Sequence, residues 1–468
     1  MAAEHANPDD IRALFSRAMS AMYRDEVPAY GTLMELVRDV NADVLATAPD
    51  ERARLEALGE LERIDEERHG AIRLGTAREL FTMRRLFAVM GMHPVGYYDL
   101  SVAGVPVHST AFRPLDEASL RRNPFRVFTS LLRLELIEDR ALAERAASIL
   151  SDRSILTERA QELIALCEVR GGLTEDQAEE FVAEAIETFR WRSDATVTAQ
   201  TYTDLHETHR LIADVVSFRG PHINHLTPRT LDIDRVQELM PERGITPKAV
   251  IEGPPRRGAD ILLRQTSFKA LEEPILFAGE NGGTAGTHTA RFGEIEQRGV
   301  ALTPKGRALY DETLAAVRAA APIGAQGQGA DAYRSELDAR FAEVFPDDLN
   351  ALRREGLAFF RYRVGERAEV GARAESIEAL LASGALVADP QVYEDFLPVS
   401  AAGIFQSNLG TDAASAYSER ANREAFEEAL GAQVADEMEI YAATERESLQ
   451  AALQALGQDH LAEAVAAA

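Results

Sequence analysis

Two similar strings, EERHGAIRLGT and GPHINHLTPRT, each place a histidine on a predicted strand that leads into an amphipathic helix. Thr76 is the predicted cap of the first helix and Gly91 its predicted stop, and Asp232 or Asp234 is the predicted cap of the second. The strands that follow predict the order β-α-β-β-β for the second segment and β-α-β-β at least for the first. The chain therefore resembles two copies of one unit, separated by a helical insertion.

The rest of the chain is rich in Leu, Ala, Glu and Arg at helical spacing, so we expect an α+β fold with large helical additions. One stretch, 393–410, carries no charge after Asp395 and is expected to pack inside the protein. The predicted segments, in order, are an N-terminal helical region at 1–63, the first unit at 64–115, a helical insertion at 116–218, the second unit at 219–303 and a C-terminal helical region at 304–468.

The charge of the chain restricts its partners. A formal net charge of -27 argues against nucleic acid and against an anionic membrane surface, because both are negatively charged and would be repelled. An anionic small molecule would need arginines placed beside it to overcome this field. We therefore expect a small-molecule ligand, and the sequence assigns no oligomeric partner.

The cellular compartment is predicted from cysteine content and from targeting signals. Cys167 is the single cysteine, so an intramolecular disulfide cannot form and a reducing compartment is expected. It lies in a helical pattern and is predicted to be a small packing residue rather than a nucleophile. The N-terminal residues do not resemble a signal peptide, and no window reaches the roughly 20 apolar residues of a membrane span. The expected location is the cytoplasm.

Candidate metal ligands lie on three predicted strands, at His69, His225 and Glu294. Two histidines and one carboxylate are the ligand set of an Fe(II) oxygenase, which leaves coordination positions open for substrate and O2. His222 lies near His225, but successive strand residues alternate faces, so one of the two at most can be a ligand. His225 shares a predicted face with Ile223, which favours His225.

Glu294 and Glu296 present a second choice, because both lie on one face of the last predicted strand. They are separated by about 7 Å along the strand, so only one of them can reach a metal held by the first strand of its unit. The strand pattern alone leaves this choice open.

The other histidines are predicted to have structural roles. His93 and His108 flank strands, and His288 lies near the end of the glycine-rich string AGENGGTAGTHT, which leads into a strand rather than a helix and so does not resemble a phosphate loop. His206 and His209 are three residues apart on a helix, where capping or packing is favoured over metal binding.

Arg73 lies four residues beyond His69, and even spacing places both side chains on one face of the strand. An arginine beside a metal ligand suits a clamp for a substrate carboxylate, because its planar fork matches that group. A surface ion pair with Glu66 or Glu67 is an equally good interpretation of the sequence.

The chain resembles the 2-oxoadipate dioxygenase/decarboxylase family, a branch of the vicinal oxygen chelate superfamily with additional helices. The resemblance is densest in RHGAIRLGTARELFT, FRGPHINHLTPRTLDID, ARFGEIEQRGVALTPKGR and FLPVSAAGIFQSNLG, and it extends over nearly the whole chain. It implies a central curved sheet or half-barrel built from two βαβββ units.

The resemblance also implies site residues and a reaction. It implies that His69, His225 and Glu294 bind Fe(II), that Arg73 binds the distal carboxylate of the substrate, and that Val399 with Ser400 contacts the bound oxo-acid. Gln265, on a neighbouring predicted strand, is a further predicted substrate-binding residue; this prediction comes from its position and not from the resemblance. The implied reaction converts 2-oxoadipate and O2 to (R)-2-hydroxyglutarate and CO2, a late step of lysine breakdown.

Two rival functions are weighed against this one. The first is a zinc- or nickel-dependent lyase or isomerase of the same superfamily, whose sites commonly use four protein ligands where three are clear here. The second is a non-catalytic regulator that binds an oxo-acid. Oxygen uptake with Fe(II) distinguishes the first rival, and CO2 release distinguishes the second.

Overall fold

The computed structural model describes residues 5–65, 67–279, 283–324, 327–368, 373–397 and 413–466, which form a mixed α+β structure. The chain divides into two compact units. The larger unit comprises Met1–Ile251, Gln265–Gln297 and Phe396–Ala435, and the smaller comprises Glu252–Arg264, Arg298–Asp395 and Asp436–Ala468. Each unit is assembled from three separate stretches of the chain.

The strands are β1 Glu67–Leu74, β2 His93–Asp99, β3 Val107–Arg113, β4 Arg126–Leu132, β5 His225–Pro228, β6 Leu263–Ser267, β7 Glu272–Phe277, β8 Thr284–Thr289, β9 Glu294–Arg298, β10 Phe360–Val364 and β11 Leu386–Pro390. The first eleven helices are α1 Pro8–Glu26, α2 Pro28–Thr47, α3 Pro49–Leu58, α4 Ala77–Val89, α5 Glu117–Arg122, α6 Arg140–Ser151, α7 Glu158–Arg170, α8 Glu175–Ile186, α9 Ala199–Thr208, α10 Arg210–Ser217 and α11 Ile233–Leu239. The later helices are α12 Pro304–Ala320, α13 Ala330–Val344, α14 Leu349–Arg354, α15 Ile377–Ser383, and then Ala413–Leu430, Glu437–Ala455 and Asp459–Ala466.

The larger unit contains a five-stranded sheet in the order β2-β3-β4-β1-β5. Strand β1 is parallel to β4 and antiparallel to β5. The first unit therefore has the order β-α-β-β-α-β, with the short helix α5 between β3 and β4, and β5 from the second unit extends its sheet. In the predicted second unit, at 219–303, β6 pairs with β9 and β7 pairs with β8. The half-barrel built from two βαβββ units therefore stays a prediction.

The two faces of β1 have different surroundings. Ile72 and Leu74 are fully buried in the main hydrophobic core of the larger unit, whereas His69 and Arg73 lie on the opposite face. Gly70 allows β5 to approach closely on the core side, because a Cβ there would lie 2.6 Å from Cδ1 of Ile223. Strand alternation thus separates the core residues of β1 from its polar residues.

The predicted ends of two helices are confirmed. Thr76 caps α4 by accepting a hydrogen bond from the backbone N–H of Glu79, and Gly91 follows the helix with a φ of 65°. Asp232 caps α11 through the backbone N–H of Arg235, which settles the choice between the two predicted caps.

Strand content was predicted wrongly in several places, including 272–289, where β7 and β8 lie. The range 116–218, predicted as a helical insertion, contains β4, and the helical range 304–468 contains the antiparallel pair of β10 and β11. The predicted strand at 248–255 is absent from this described part of the chain, where an isolated bridge joins Pro247 to Phe268. The first of these corrections adds β4 to the sheet that contains β1 and β3.

The smaller unit contains the β10–β11 pair, and the helices Glu437–Ala455 and Asp459–Ala466 contribute to its apolar cluster. A buried polar group lies beside them, in which Tyr441 donates from its hydroxyl to Asp395 Oδ2 at 2.6 Å. Arg298 donates to the backbone carbonyls of Tyr393 and Asp395. Among the described residues, no helix combines the length and apolar character needed to cross a bilayer.

Candidate metal centre

Three buried side chains from three strands meet at one carboxylate oxygen. Oε2 of Glu294 lies 3.1 Å from Nε2 of His69 and 3.6 Å from Nε2 of His225. One ligand atom from each residue lies within 4.8 Å of the other two. We call these residues the metal triad, since two imidazoles and a carboxylate at this separation could hold a metal ion. They are the three ligands predicted from the sequence.

The register of β5 on β1 accounts for the position of His225. His225 pairs with Ala71 of β1, two residues from His69, so both imidazoles lie on one face of the sheet. The predicted sharing of a face between His225 and Ile223 is wrong, because β5 begins at His225 and the residues before it are irregular. Ile223 instead packs with Leu226 against Gly70.

The protonation states in the metal triad suit a metal. Burial lowers the pKa of His225 to about 3, so its imidazole is neutral and offers a lone pair. Burial opposes the charge on Glu294, but the neighbouring His225 and the hydrogen bond with His69 outweigh it and lower the pKa of Glu294. A neutral imidazole and an ionised carboxylate are the forms that bind metal ions.

Three polar neighbours support the metal triad. Glu294 Oε2 accepts hydrogen bonds from Thr227 Oγ1 at 3.0 Å and from Gln265 Nε2 at 2.9 Å. Gln265, predicted to bind the substrate, thus contacts the carboxylate of the triad. Glu296 lies on the other side of His69, with Oε2 3.0 Å from Nδ1. Glu294 and Glu296 thus face different nitrogens of the His69 imidazole, and only Glu294 belongs to the triad.

Aromatic rings pack against both imidazoles. Phe396 contacts His69 edge-on with ring centroids 4.8 Å apart, and Phe292 stacks on His225 at the same separation. Phe128 packs in turn against Phe396. These rings restrict the access of water to the triad on the sides that they cover.

Arg73 has a carboxylate partner that the sequence patterns did not predict. Its NH1 donates to Asp214 Oδ2 of α10 at 2.6 Å, and the Asp214 side chain is 5% exposed. This pair differs from the predicted alternatives with Glu66 or Glu67; residue 66 and the side chain of residue 67 lie outside the described part of the chain. Arg73 is therefore held by a buried anion.

Asp214 also pairs with two histidines. Its Oδ1 lies 2.9 Å from Nε2 of His288 and 3.2 Å from Nε2 of His222. We call Asp214, Arg73, His222 and His288 the Asp214 cluster. Sequence reasoning assigned no partner to His288 and missed Asp214, although an aspartate inside the apolar string LIADVVS, which is buried throughout, was a usable signal.

The remaining predicted residues have simpler outcomes. His209 caps α10 by accepting from the backbone N–H of Leu211, and His206 stacks on Tyr202, as the structural interpretation expected. Cys167 is partly buried, and burial raises the pKa of its thiol. Val399 and Ser400, together with most of the stretch 393–410, lie outside the described residues.

The fold and the site define a mixed α+β protein with a buried His-His-Glu group that could hold a metal ion. Comparisons with known proteins identify its family. The sequence model of the 2-oxoadipate dioxygenase/decarboxylase family matches residues 15–408. A Pseudomonas putida protein named 2-oxoadipate dioxygenase/decarboxylase is 61% identical over 457 residues, which cover 97% of this chain and 98% of the relative.

An Escherichia coli K12 relative of the same name is 59% identical over 444 residues, covering 94% of this chain and 97% of its own length. A solved structure of Pseudomonas putida hydroxyglutarate synthase in complex with 2-oxoadipate has a TM-score of 0.90 and 59% identity. The match covers 97% of this chain and 100% of that chain. The chain belongs to the 2-oxoadipate dioxygenase/decarboxylase family.

Proposed function

We propose that this protein is an Fe(II)-dependent dioxygenase that converts 2-oxoadipate and O2 to (R)-2-hydroxyglutarate and CO2, as a step of lysine breakdown. The observation that carries the proposal is the metal triad, formed by side chains from three strands in a chain whose relatives are named for this chemistry. A relative with high structural similarity was solved in complex with 2-oxoadipate, which supports the choice of substrate.

His69, His225 and Glu294 are the proposed Fe(II) ligands. Fe(II) bound there would supply electrons for O2 and open positions for the 2-oxo acid and O2, a redox role that zinc cannot take. The residues fit this ion, since each contributes one ligand atom from a fixed strand. Thr227 and Gln265 hold the carboxylate of Glu294, and Glu296 faces Nδ1 of His69, which fixes the orientation of that ring.

Arg73 is the proposed partner of the distal carboxylate of 2-oxoadipate. It lies on the same face of β1 as His69, about 13 Å away between Cα atoms at the usual rise of an extended strand. A long substrate bound near the triad at one end can therefore meet the guanidinium at the other. Fixing both ends keeps the reacting carbons beside the triad, which lowers the entropic barrier to reaction.

Water exclusion is the proposed role of the aromatic residues around the triad. Phe396 and Phe292 cover His69 and His225, so reactive species formed there would be protected from side reactions with solvent. Val399 and Ser400, which follow Phe396 in the chain, are proposed to contact the oxo-acid.

Oxygen consumption after anaerobic reconstitution tests this function. The protein is stripped of metal, loaded with Fe(II), Zn(II) or Ni(II), and then given O2 with 2-oxoadipate, 2-oxoglutarate or shorter homologues. We expect O2 uptake and equimolar CO2 release only with Fe(II), with 2-oxoadipate as the best substrate and (R)-2-hydroxyglutarate as the product. Turnover without O2 by the zinc or nickel form would instead support a lyase or isomerase.

A further inference from the structure

Asp214 holds the guanidinium that the proposed function assigns to the substrate. The carboxylate uses its two oxygens differently. Oδ2 accepts from NH1 of Arg73 at 2.6 Å, whereas Oδ1 faces Nε2 of His288 at 2.9 Å and Nε2 of His222 at 3.2 Å. Oδ2 therefore serves the arginine, with a longer hydrogen bond from Asn224 Nδ2 at 3.5 Å, and Oδ1 anchors the carboxylate to two imidazoles.

The anchor is itself held in place. The Tyr202 hydroxyl lies 2.7 Å from Nδ1 of His288, so a neutral His288 can accept there and donate from Nε2 to Asp214. Trp191 packs edge-on against His222 and stacks on His288 at 5.9 Å. Hydrogen bonds and aromatic packing hold the two histidines in place. Because Asp214 is bonded to them, it cannot follow the Arg73 side chain when that side chain moves.

The charge on Asp214 is stable in this position. Burial raises the pKa of a carboxyl, but the neighbouring His222, the guanidinium of Arg73 and the hydrogen bonds from both imidazoles outweigh burial and hold the pKa of Asp214 well below its usual range. Arg73 is 23% exposed, so the arginine borders a more open space than its partner. The pair thus joins a rigid buried anion to a partly accessible cation.

We propose that Asp214 is a positioning residue that fixes the guanidinium of Arg73 for the distal carboxylate of a dicarboxylic oxo-acid. This inference rests on the proposed function, because it takes Arg73 as the clamp. Asp214 engages Arg73 through NH1, so the clamp keeps further N–H donors for the substrate. A long side chain held before binding loses less conformational entropy when the substrate arrives.

The test compares two ligands that share the metal-binding end and differ at the far end. The dissociation constants of 2-oxoadipate and of 2-oxohexanoate, which lacks the distal carboxylate, are measured anaerobically by calorimetry on the Fe(II)-loaded protein. In Asp214→Asn we expect the dissociation constant of 2-oxoadipate to rise about 5-fold, within the range for immobilising one long side chain. That of 2-oxohexanoate should stay unchanged.

A matched control is available in the same unit. Asp99 has a 5% exposed carboxylate that pairs with Arg133, and it lies on β2, three strands away from β1 in the sheet. Asp99→Asn makes the same chemical change and should leave both dissociation constants unchanged. Trp191 is the single tryptophan, and it packs against two members of the Asp214 cluster. Its emission maximum shows whether that region remains folded in each variant.

A double-mutant cycle distinguishes positioning from a general structural effect. In an Arg73→Ala background, Asp214→Asn should change the 2-oxoadipate dissociation constant no further, because there is no guanidinium left to position. If Asp214→Asn does not fold, His288→Gln removes one anchor and should give a smaller rise, about 2-fold, for 2-oxoadipate alone.

Three results would overturn the inference: equal weakening of both ligands, tighter binding of 2-oxoadipate, or a full effect of Asp214→Asn without Arg73. Each of these can occur in a protein that turns over 2-oxoadipate normally. Failure of the proposed function is seen separately, as the absence of O2 uptake by the Fe(II)-loaded wild-type protein.

Discussion

The metal triad and the Asp214 cluster contain the same kinds of side chain in the same compact unit. Each has two imidazoles and one carboxylate, on side chains that are all at most 8% exposed. In each, Nε2 atoms of both histidines face a single carboxylate oxygen. The difference is Arg73, which donates to Asp214 and therefore supplies a permanent positive charge beside that carboxylate.

The comparison shows that residue types alone do not define a metal site. Buried carboxylates need a compensating cation. In the Asp214 cluster the guanidinium is that cation, and it would repel a metal ion at the same place. In the metal triad His225 is neutral, so a bound divalent ion would provide the missing positive charge. Under the proposed function, the two clusters would therefore meet opposite ends of one substrate.

The largest expected effect is on iron content, which should fall in variants of the metal triad but not in a variant of the Asp214 cluster. Replacing His69, His225 or Glu294 by alanine should abolish iron binding and reduce activity to background, because each removes one of three ligands. His222→Ala, in the Asp214 cluster, is the control and should retain one iron per chain. Metal analysis after anaerobic loading gives the answer, and a fully active His225→Ala would refute the triad.

The next effect concerns the arginine that distinguishes the clusters. Arg73→Ala should raise the KM for 2-oxoadipate about 100-fold, as expected for losing a charge-assisted contact. Iron content should stay at the wild-type level. Steady-state oxygen uptake measures the first quantity and metal analysis the second. Equal loss of activity toward 2-oxoadipate and 2-oxohexanoate would contradict a clamp for the distal carboxylate.

An intermediate effect is expected at Glu296, which contacts the triad without belonging to it. Glu296→Gln should weaken iron binding about 10-fold, because the residue orients His69 through Nδ1. Glu294→Gln should lose iron altogether. Titration of the metal-free protein with Fe(II) distinguishes the two glutamates, and stronger dependence on Glu296 than on Glu294 would reverse their assignment.

The smallest expected effect lies at the edge of the Asp214 cluster. Tyr202→Phe removes the hydroxyl that reaches His288, which should raise the KM for 2-oxoadipate about 2-fold through a looser anchor. The kcat should not change. A kcat loss without a KM change would show that Tyr202 acts on the chemical step rather than through the anchor.

Much of the metal triad could be predicted because its residues lie on strands with local signals. The string around His69 forms β1 and α4, and Glu294 begins β9. Strand alternation predicted that His222 and His225 could not both be ligands. The reason was wrong, because His222 precedes β5 and is not part of the strand. Its true position, against Asp214, depends on the packing of α10 and could not be read from spacing.

The fold was predicted less well where burial hides the strand pattern. Strand β4 is buried at all seven positions, so its sequence RVFTSLL lacks the alternation of a half-exposed strand and fits helical spacing instead. The string KAVIEGPP has strand-like residues but contains Gly253, whose φ is 105°, before two prolines. The first error follows from tertiary context that local patterns do not contain, whereas the second overlooks a local signal, the Gly-Pro-Pro run.

The most direct test of the account is the location of iron. Crystals of the Fe(II)-loaded protein, grown anaerobically, would be measured above the iron absorption edge for an anomalous difference map. We predict one strong peak per chain, bounded by Nε2 of His69, Nε2 of His225 and the carboxylate of Glu294. A peak at the Asp214 cluster, or a fully loaded protein with no peak at the metal triad, would contradict the account.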